Sequence, residues 1–181
     1  MDDDTRIIKG VRELEQEIDP SKELPIDIFK FVSRHTPLLC VDLLIQNDRR
    51  QTLMTWRDDV YFGHGWHFPG GVLRHGESLV AHSHLVSQKE LQATIRVDPV
   101  PIGFMEYFHK TRPERGHQVI FLLRCRIESP PNPIFRCEEG TYPKPGQWMW
   151  HSKEPAELLP VQRCYARILN WEAMTDAPAG I

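Results

Sequence analysis

The chain has 181 residues, 40% of them hydrophobic and 26% charged, with a formal net charge of -3. That length holds one domain with a real core and hardly two, and the composition excludes general disorder. The slight acidic excess excludes a broad nucleic-acid-binding surface, so any anion site must rest on local cations.

The N-terminus, MDDDTRIIKG, carries no apolar segment, and no apolar run is long enough to cross a bilayer, so no membrane association and a cytoplasmic location are expected. Cys40, Cys125, Cys137 and Cys164 lie far apart without CxxC spacing, which predicts reduced thiols and no zinc site. Ile7, Ile8, Val11, Leu14 and Ile18 fall close to helical spacing, and Asp19-Pro20 ends that pattern. Residues 1–25 therefore read as an N-terminal helical extension. It is suited to covering one side of the domain, or a second subunit in a homodimer.

Residues 26–33 predict a second short helix. TPLLCVDLLIQ, residues 36–46, is a near-continuous apolar run of strand length. After a turn at 47–50, QTLMTWR (51–57) reads as the returning strand. Residues 58–65 read as loop. Residues 100–108 and 118–127 are strand-like again, separated by the basic turn HKTRPERGH. The five prolines between 129 and 146 predict a long loop, QWMW (147–150) a strand, 152–159 a short helix capped by Ser152, and 161–174 a terminal helix. Strands outnumber helices and are flanked by them, which gives an α+β class with an α/β/α sandwich.

The chemistry concentrates in WHFPGGVLRHGESLVAHSHLVSQKELQ, residues 66–92. Gly70-Gly71 lets the backbone approach a ligand closely. A helix starting near Ser78 presents free amides and a positive dipole end. On that helix His82, Val86, Lys89, Glu90 and Ala93 share one face. That face offers a single carboxylate. A lysine about 6 Å from a divalent ion would repel it by about 5 kcal/mol at an effective dielectric near 20. His82 and His84 read as structural histidines. Trp56, Trp66, Trp148 and Trp150 read as packing groups. Lys110, Arg112 and Arg115 read as an exposed basic turn.

This segment resembles the Nudix box, Gx5Ex7REUxEExGU, of nucleoside-diphosphate-X hydrolases. Gly71, Glu77 and Glu90 match it. Leu85 stands for its arginine, Val86 and Lys89 for two glutamates, and Gln92 for its last glycine. The flanking sequences are similar to the GDP-mannose mannosyl hydrolase branch over roughly residues 30–170. They are HTPLLCVDLLI with Asp42, Arg57, GHQVIF with His117 as its second residue, and WMWHSKEPAELL. The resemblance implies a Nudix-like domain over residues 26–181 with a mixed β-sheet. It further implies hydrolysis of GDP-mannose or GDP-glucose to GDP and hexose, with Mg²⁺ as cofactor. Gly70 (by its carbonyl) and Glu90 are then the metal ligands. Arg57, Asp42 and His117 contact the substrate, and Gly71 and Glu77 hold the box together. The branch's loop histidine has no counterpart, which leaves Glu138 and Glu139 as candidates for the general base. The departures in the box also fit a second function, a nucleotide-sugar binding or sensor protein without turnover. A third is a Nudix hydrolase of another nucleoside-diphosphate derivative.

Overall fold

The computed structural model describes residues 3–19 and 22–169. Its centre is the apolar run that forms β1 (Leu38–Ile45), where every residue but Leu39 is buried. Val41, Leu43 and Ile45 pack with Val86 and Leu91 of helix α3 (Leu79–Leu91). On the opposite face Leu44 packs with Met54, Trp56, Trp66 and Phe68. A strand covered on both faces reads as a continuous apolar run rather than an alternation.

β1 runs parallel to β7 (His117–Ile127) and antiparallel to β4 (Gly70–Val72). β7 also pairs antiparallel with β5 (Ile95–Val97) and β6 (Gly103–Phe108). The second sheet has the order β3–β2–β8, all antiparallel, from β2 (Thr52–Asp59), β3 (Gly63–His67) and β8 (Trp148–His151). This is the α+β sandwich with a mixed sheet that the sequence predicts. Trp56, Trp66 and Trp148 are core residues.

Four expectations need correction. Residues 58–65 are a hairpin rather than a loop: the Asp59 carboxylate accepts the amides of Tyr61 and Phe62, at 2.8 and 2.9 Å, and turns β2 into β3. The helix expected over 152–159 does not form. Its backbone serves the edge of β3 instead, with Glu157 accepting the Trp66 amide and Leu159 donating to the Trp66 carbonyl. The short strand β5 was not foreseen. Helix α1 (Asp3–Glu17) forms, but none of its own residues is buried against the described part of the chain.

Helix α2 (Ile26–His35) follows it as expected. The terminal helix expected over 161–174 is a 3-10 turn (Pro160–Tyr165) leading into α4 (Ala166–Leu169), and positions from 170 onward lie outside the described residues. The four cysteines are unpaired. No helix among the described residues is long and apolar enough to cross a membrane.

Because no residue of α1 is buried, deleting residues 1–19 is expected to change the unfolding free energy by less than about 0.5 kcal/mol in urea titrations. Leu123→Ala, in the fully buried centre of β7, should cost about 2–5 kcal/mol in the same assay.

Candidate functional site

The antiparallel register of β1 and β4 sets Asp42 opposite Gly70. The approach is so close that a Cβ at residue 70 would lie 2.2 Å from Asp42 Oδ1 and 2.6 Å from the Val41 carbonyl oxygen. Glycine is therefore required there by space. Asp42 itself is buried. Its Oδ2 accepts hydrogen bonds from the Tyr165 hydroxyl at 2.9 Å and Gln162 Nε2 at 3.1 Å. Burial pushes its pKa up to about 7, against those two bonds and the Arg57 charge.

Helix α3 starts where the sequence predicts, with Ser78 Oγ accepting the Ala81 amide at 3.1 Å. Its last turn returns Glu90 to the sheets. Glu90 Oε1 accepts the Gly70 amide at 3.1 Å, and Oε2 receives Thr55 Oγ1 at 2.7 Å. Thr55 is also 3.1 Å from His67 Nε2, while His67 Nδ1 donates to the Phe68 carbonyl at 2.7 Å. Burial, with the Arg57 charge second, holds the His67 pKa down to about 3, so the ring is neutral and Nε2 is an acceptor. The Thr55 hydroxyl has one proton for two acceptors. Desolvation raises the Glu90 pKa, against the Thr55 and Gly70 bonds.

Asp42, Arg57, His67, Gly70, Arg115 and Gln118 line one cavity of about 50 Å³. Arg57 reaches it from β2, with Nε 3.4 Å from Asp59 Oδ2 and its guanidinium 5.4 Å from the Phe62 ring centre. The structure thus brings together Asp42, Arg57, Gly70 and, through the Gly70 amide, Glu90. Gly71 and Glu77 support the helix start. A Cβ on Gly71 would meet His82 Nε2 at 2.9 Å, and Glu77 Oε2 lies 2.6 Å from His82 Nδ1 while accepting the Arg74 amide at 3.0 Å.

Other candidates lie elsewhere. His117, at the start of β7, stacks on Phe108 and bonds Glu106 Oε1 at 2.9 Å. It faces a separate surface hollow, because its neighbour Gln118 takes the side of the strand that lines the cavity. Glu138 and Glu139 are exposed on the loop before β8 and do not line the cavity. The shared helix face also needs correction. Val86 is buried in the core, Lys89 is exposed, and Ala93 lies beyond the end of α3, where Gln92 turns left-handed at φ 51°.

A magnesium ion asks for hard oxygens, ordinarily including carboxylates with free lone pairs. Glu90 is the one carboxylate on α3, and each of its oxygens already accepts a hydrogen bond from the protein. Val86 and Lys89 supply no oxygen ligand. Among the described residues no group of three or more His, Cys, Asp and Glu stands together to hold a metal. This donor set does not fit a resident magnesium ion.

Sequence reading missed Thr55, His67, Gln162 and Tyr165. Thr55 and His67 are cross-strand partners, and Thr55 shares a face of β2 with Arg57. That alternation is visible once the hairpin is known. Gln162 and Tyr165 come from far along the chain and carry no local signal.

No protein-family model and no curated protein matches the chain. Solved structures do. A MutT protein from Methanosarcina mazei Go1 superposes with a TM-score of 0.57 at 15% identity, over 75% of this chain and 94% of its own. A UDP-X diphosphatase gives 0.54 at 13% identity, over 88% and 68%. An ADP-ribose pyrophosphatase from Streptococcus suis 89-1591 gives 0.52 at 16%, over 76% and 97%. The chain has the fold of the Nudix hydrolases.

Asp42 generates a pH signature. Its folded pKa lies above the ordinary value of 3.8, so its contribution to stability is complete below about 4 and is lost as pH rises through about 7. Glu90 acts in the same direction, whereas His67, held at about 3, loses stability as pH falls below its ordinary 6.5. These opposed terms mask one another in the wild type. Comparing Asp42→Asn with wild type in denaturant titrations isolates the first. The wild type should lose ground to the variant between pH 4 and 7, and the difference should level off above that range.

Proposed function

We propose that the protein binds a nucleoside-diphosphate derivative at this cavity, a nucleotide sugar such as GDP-mannose or GDP-glucose before others. The observation that carries the reading is Arg57 lining a glycine-floored cavity beside Gly70 and Asp42, where a guanidinium can pair with a diphosphate. The flanking resemblance to the GDP-mannose branch supports the sugar. The names UDP-X diphosphatase and ADP-ribose pyrophosphatase, borne by two fold neighbours, support the diphosphate. A volume of about 50 Å³ is far below the several hundred Å³ of an ordinary ligand pocket. It accepts a phosphoryl group, and base and sugar lie across its mouth.

Binding without turnover is favoured because Glu90 is engaged internally and the candidate bases Glu138 and Glu139 stand away from the cavity. One observation favours the second reading, Mg²⁺-dependent hydrolysis. Asp42, held near neutrality in a buried cleft beside an arginine, has the character of a proton-transfer group.

GDP-mannose separates the two readings. Calorimetry in the presence of a chelator should show binding, weakened about tenfold or more by Arg57→Ala. Product analysis should show neither GDP nor mannose above a blank, with or without Mg²⁺. Mg²⁺-dependent release that disappears in Glu90→Gln would establish the hydrolase instead, and failure to bind any nucleotide sugar would end both readings.

A further inference from the structure

The turn HKTRPERGH reads in sequence as an exposed basic loop, but two of its arginines fold inward. Arg112 and Arg115 are half-buried, and Arg115 lines the cavity with Arg57. All three guanidinium groups gather on one aromatic ring: those of Arg57, Arg112 and Arg115 stand 5.4, 5.1 and 5.6 Å from the centre of Phe62. Arg112 and Arg115 also lie over Tyr61, at 5.2 and 4.9 Å.

Charge and hydrogen bonding in this cluster are both incomplete. Asp59 contacts Arg57 at 3.4 Å, whereas the carboxylate of Glu114 is drawn away to Arg34 at 2.8 Å. Arg112 Nη2 and Arg115 Nε are buried with no hydrogen-bond partner. Native proteins rarely leave buried donors of this kind unsatisfied, and an oxyanion with several acceptor oxygens suits guanidinium forks better than any other group. Burial first, and the charge of Arg57 second, press the Arg115 pKa below its usual value, yet a guanidinium keeps its proton in proteins.

The turn is fixed in place before any ligand arrives. Ser33 Oγ on α2 accepts the Arg115 amide at 3.2 Å, and Gln118 Nε2 donates to the Arg115 carbonyl at 3.2 Å. His109 Nδ1 accepts the amides of Thr111 and Arg112 at 3.4 and 3.1 Å. Arg112 Nε donates to the Glu114 carbonyl at 2.8 Å, and its Nη1 donates to the Tyr61 carbonyl. At Gly116 a Cβ would come within 2.3 Å of the Arg112 carbonyl oxygen, which holds that position to glycine.

We infer that this turn is a phosphoryl clamp: Arg115, backed by Arg112, closes with Arg57 around one phosphate of the ligand over the Tyr61–Phe62 pair. The inference rests on the nucleoside-diphosphate reading of the cavity and adds the groups that grip the diphosphate. The grip consists of protein donors alone, so it operates without a metal ion.

The test uses inorganic pyrophosphate and GDP-mannose in parallel, by calorimetry on the full chain in chelator. Wild type should bind pyrophosphate, and Arg115→Ala should weaken it about tenfold or more, with Arg115→Lys recovering only part because an ammonium lacks the fork. Arg112→Ala should weaken it by less. Binding of pyrophosphate but not of any nucleotide sugar would leave the clamp standing and remove the nucleotide reading. Equal binding of GDP-mannose by wild type and Arg115→Ala would remove the clamp and leave the nucleotide reading, and no pyrophosphate binding by wild type would overturn the clamp. A readout without substitutions is phenylglyoxal labelling of wild type followed by peptide mass spectrometry. Protection of Arg115 by pyrophosphate supports the clamp, and unchanged labelling of Arg115 overturns it.

Discussion

The carboxyl group of Glu90 is the joint on which the site depends. One oxygen takes the Gly70 amide of the first sheet, and the other takes the Thr55 hydroxyl of the second. A single side chain from the last turn of α3 therefore ties helix, central sheet and second sheet together at the edge of the cavity. Because the position is half-buried, the bonds count for more than they would at a fully exposed surface. The same arrangement leads through Thr55 to His67 and on to the Phe68 carbonyl, behind the part of the cavity wall that His67 and Gly70 form.

Charges are divided between two kinds of support. The acids stand on regular elements: Asp42 is buried and Glu90 half-buried, and desolvation raises both pKa values, that of Asp42 to about 7. Arg112 and Arg115 stand on the turn before β7, and Arg57 near the end of β2, with their charge concentrated around Phe62. The cavity consequently faces a ligand with two arginines and an Asp42 whose negative charge is reduced near neutral pH. An anion is the complement of such a surface, although the chain as a whole is slightly acidic.

Much of the fold was legible because its signals are local. The buried run at 38–45, the Ser78 cap and the glycine pair each follow from a few adjacent residues. The hairpin at 59–63 was missed because Asp59 makes the turn with its side chain, in a stretch without an apolar pattern. The helix expected at 152–159 lost to a non-local demand, since residues 157–159 pair with the edge of β3. The site divides the same way. Asp42, Arg57, Gly70 and Glu90 could be named from sequence. The placement of Arg115, Gln162 and Tyr165 follows only from how distant segments fold together.

The residues that match the Nudix box pattern and those that depart from it have different tasks in this structure. Gly71 leaves room for His82, Glu77 binds that histidine and the Arg74 amide, and Glu90 joins α3 to both sheets. Each of these is explained by architecture alone. The departures fall where architecture asks little or asks for apolar matter: Leu85 and Lys89 are exposed, and Val86 fills the core beside Leu43 and Leu91. Gln92 occupies a left-handed position that glycine takes more easily, and is held there by the Asn132 amide, which donates to its Oε1 at 2.7 Å. A helix built this way forms the loop–helix scaffold that positions the Gly70 backbone, and its exposed face carries no carboxylate. The proposed anion would meet the arginines that line the cavity.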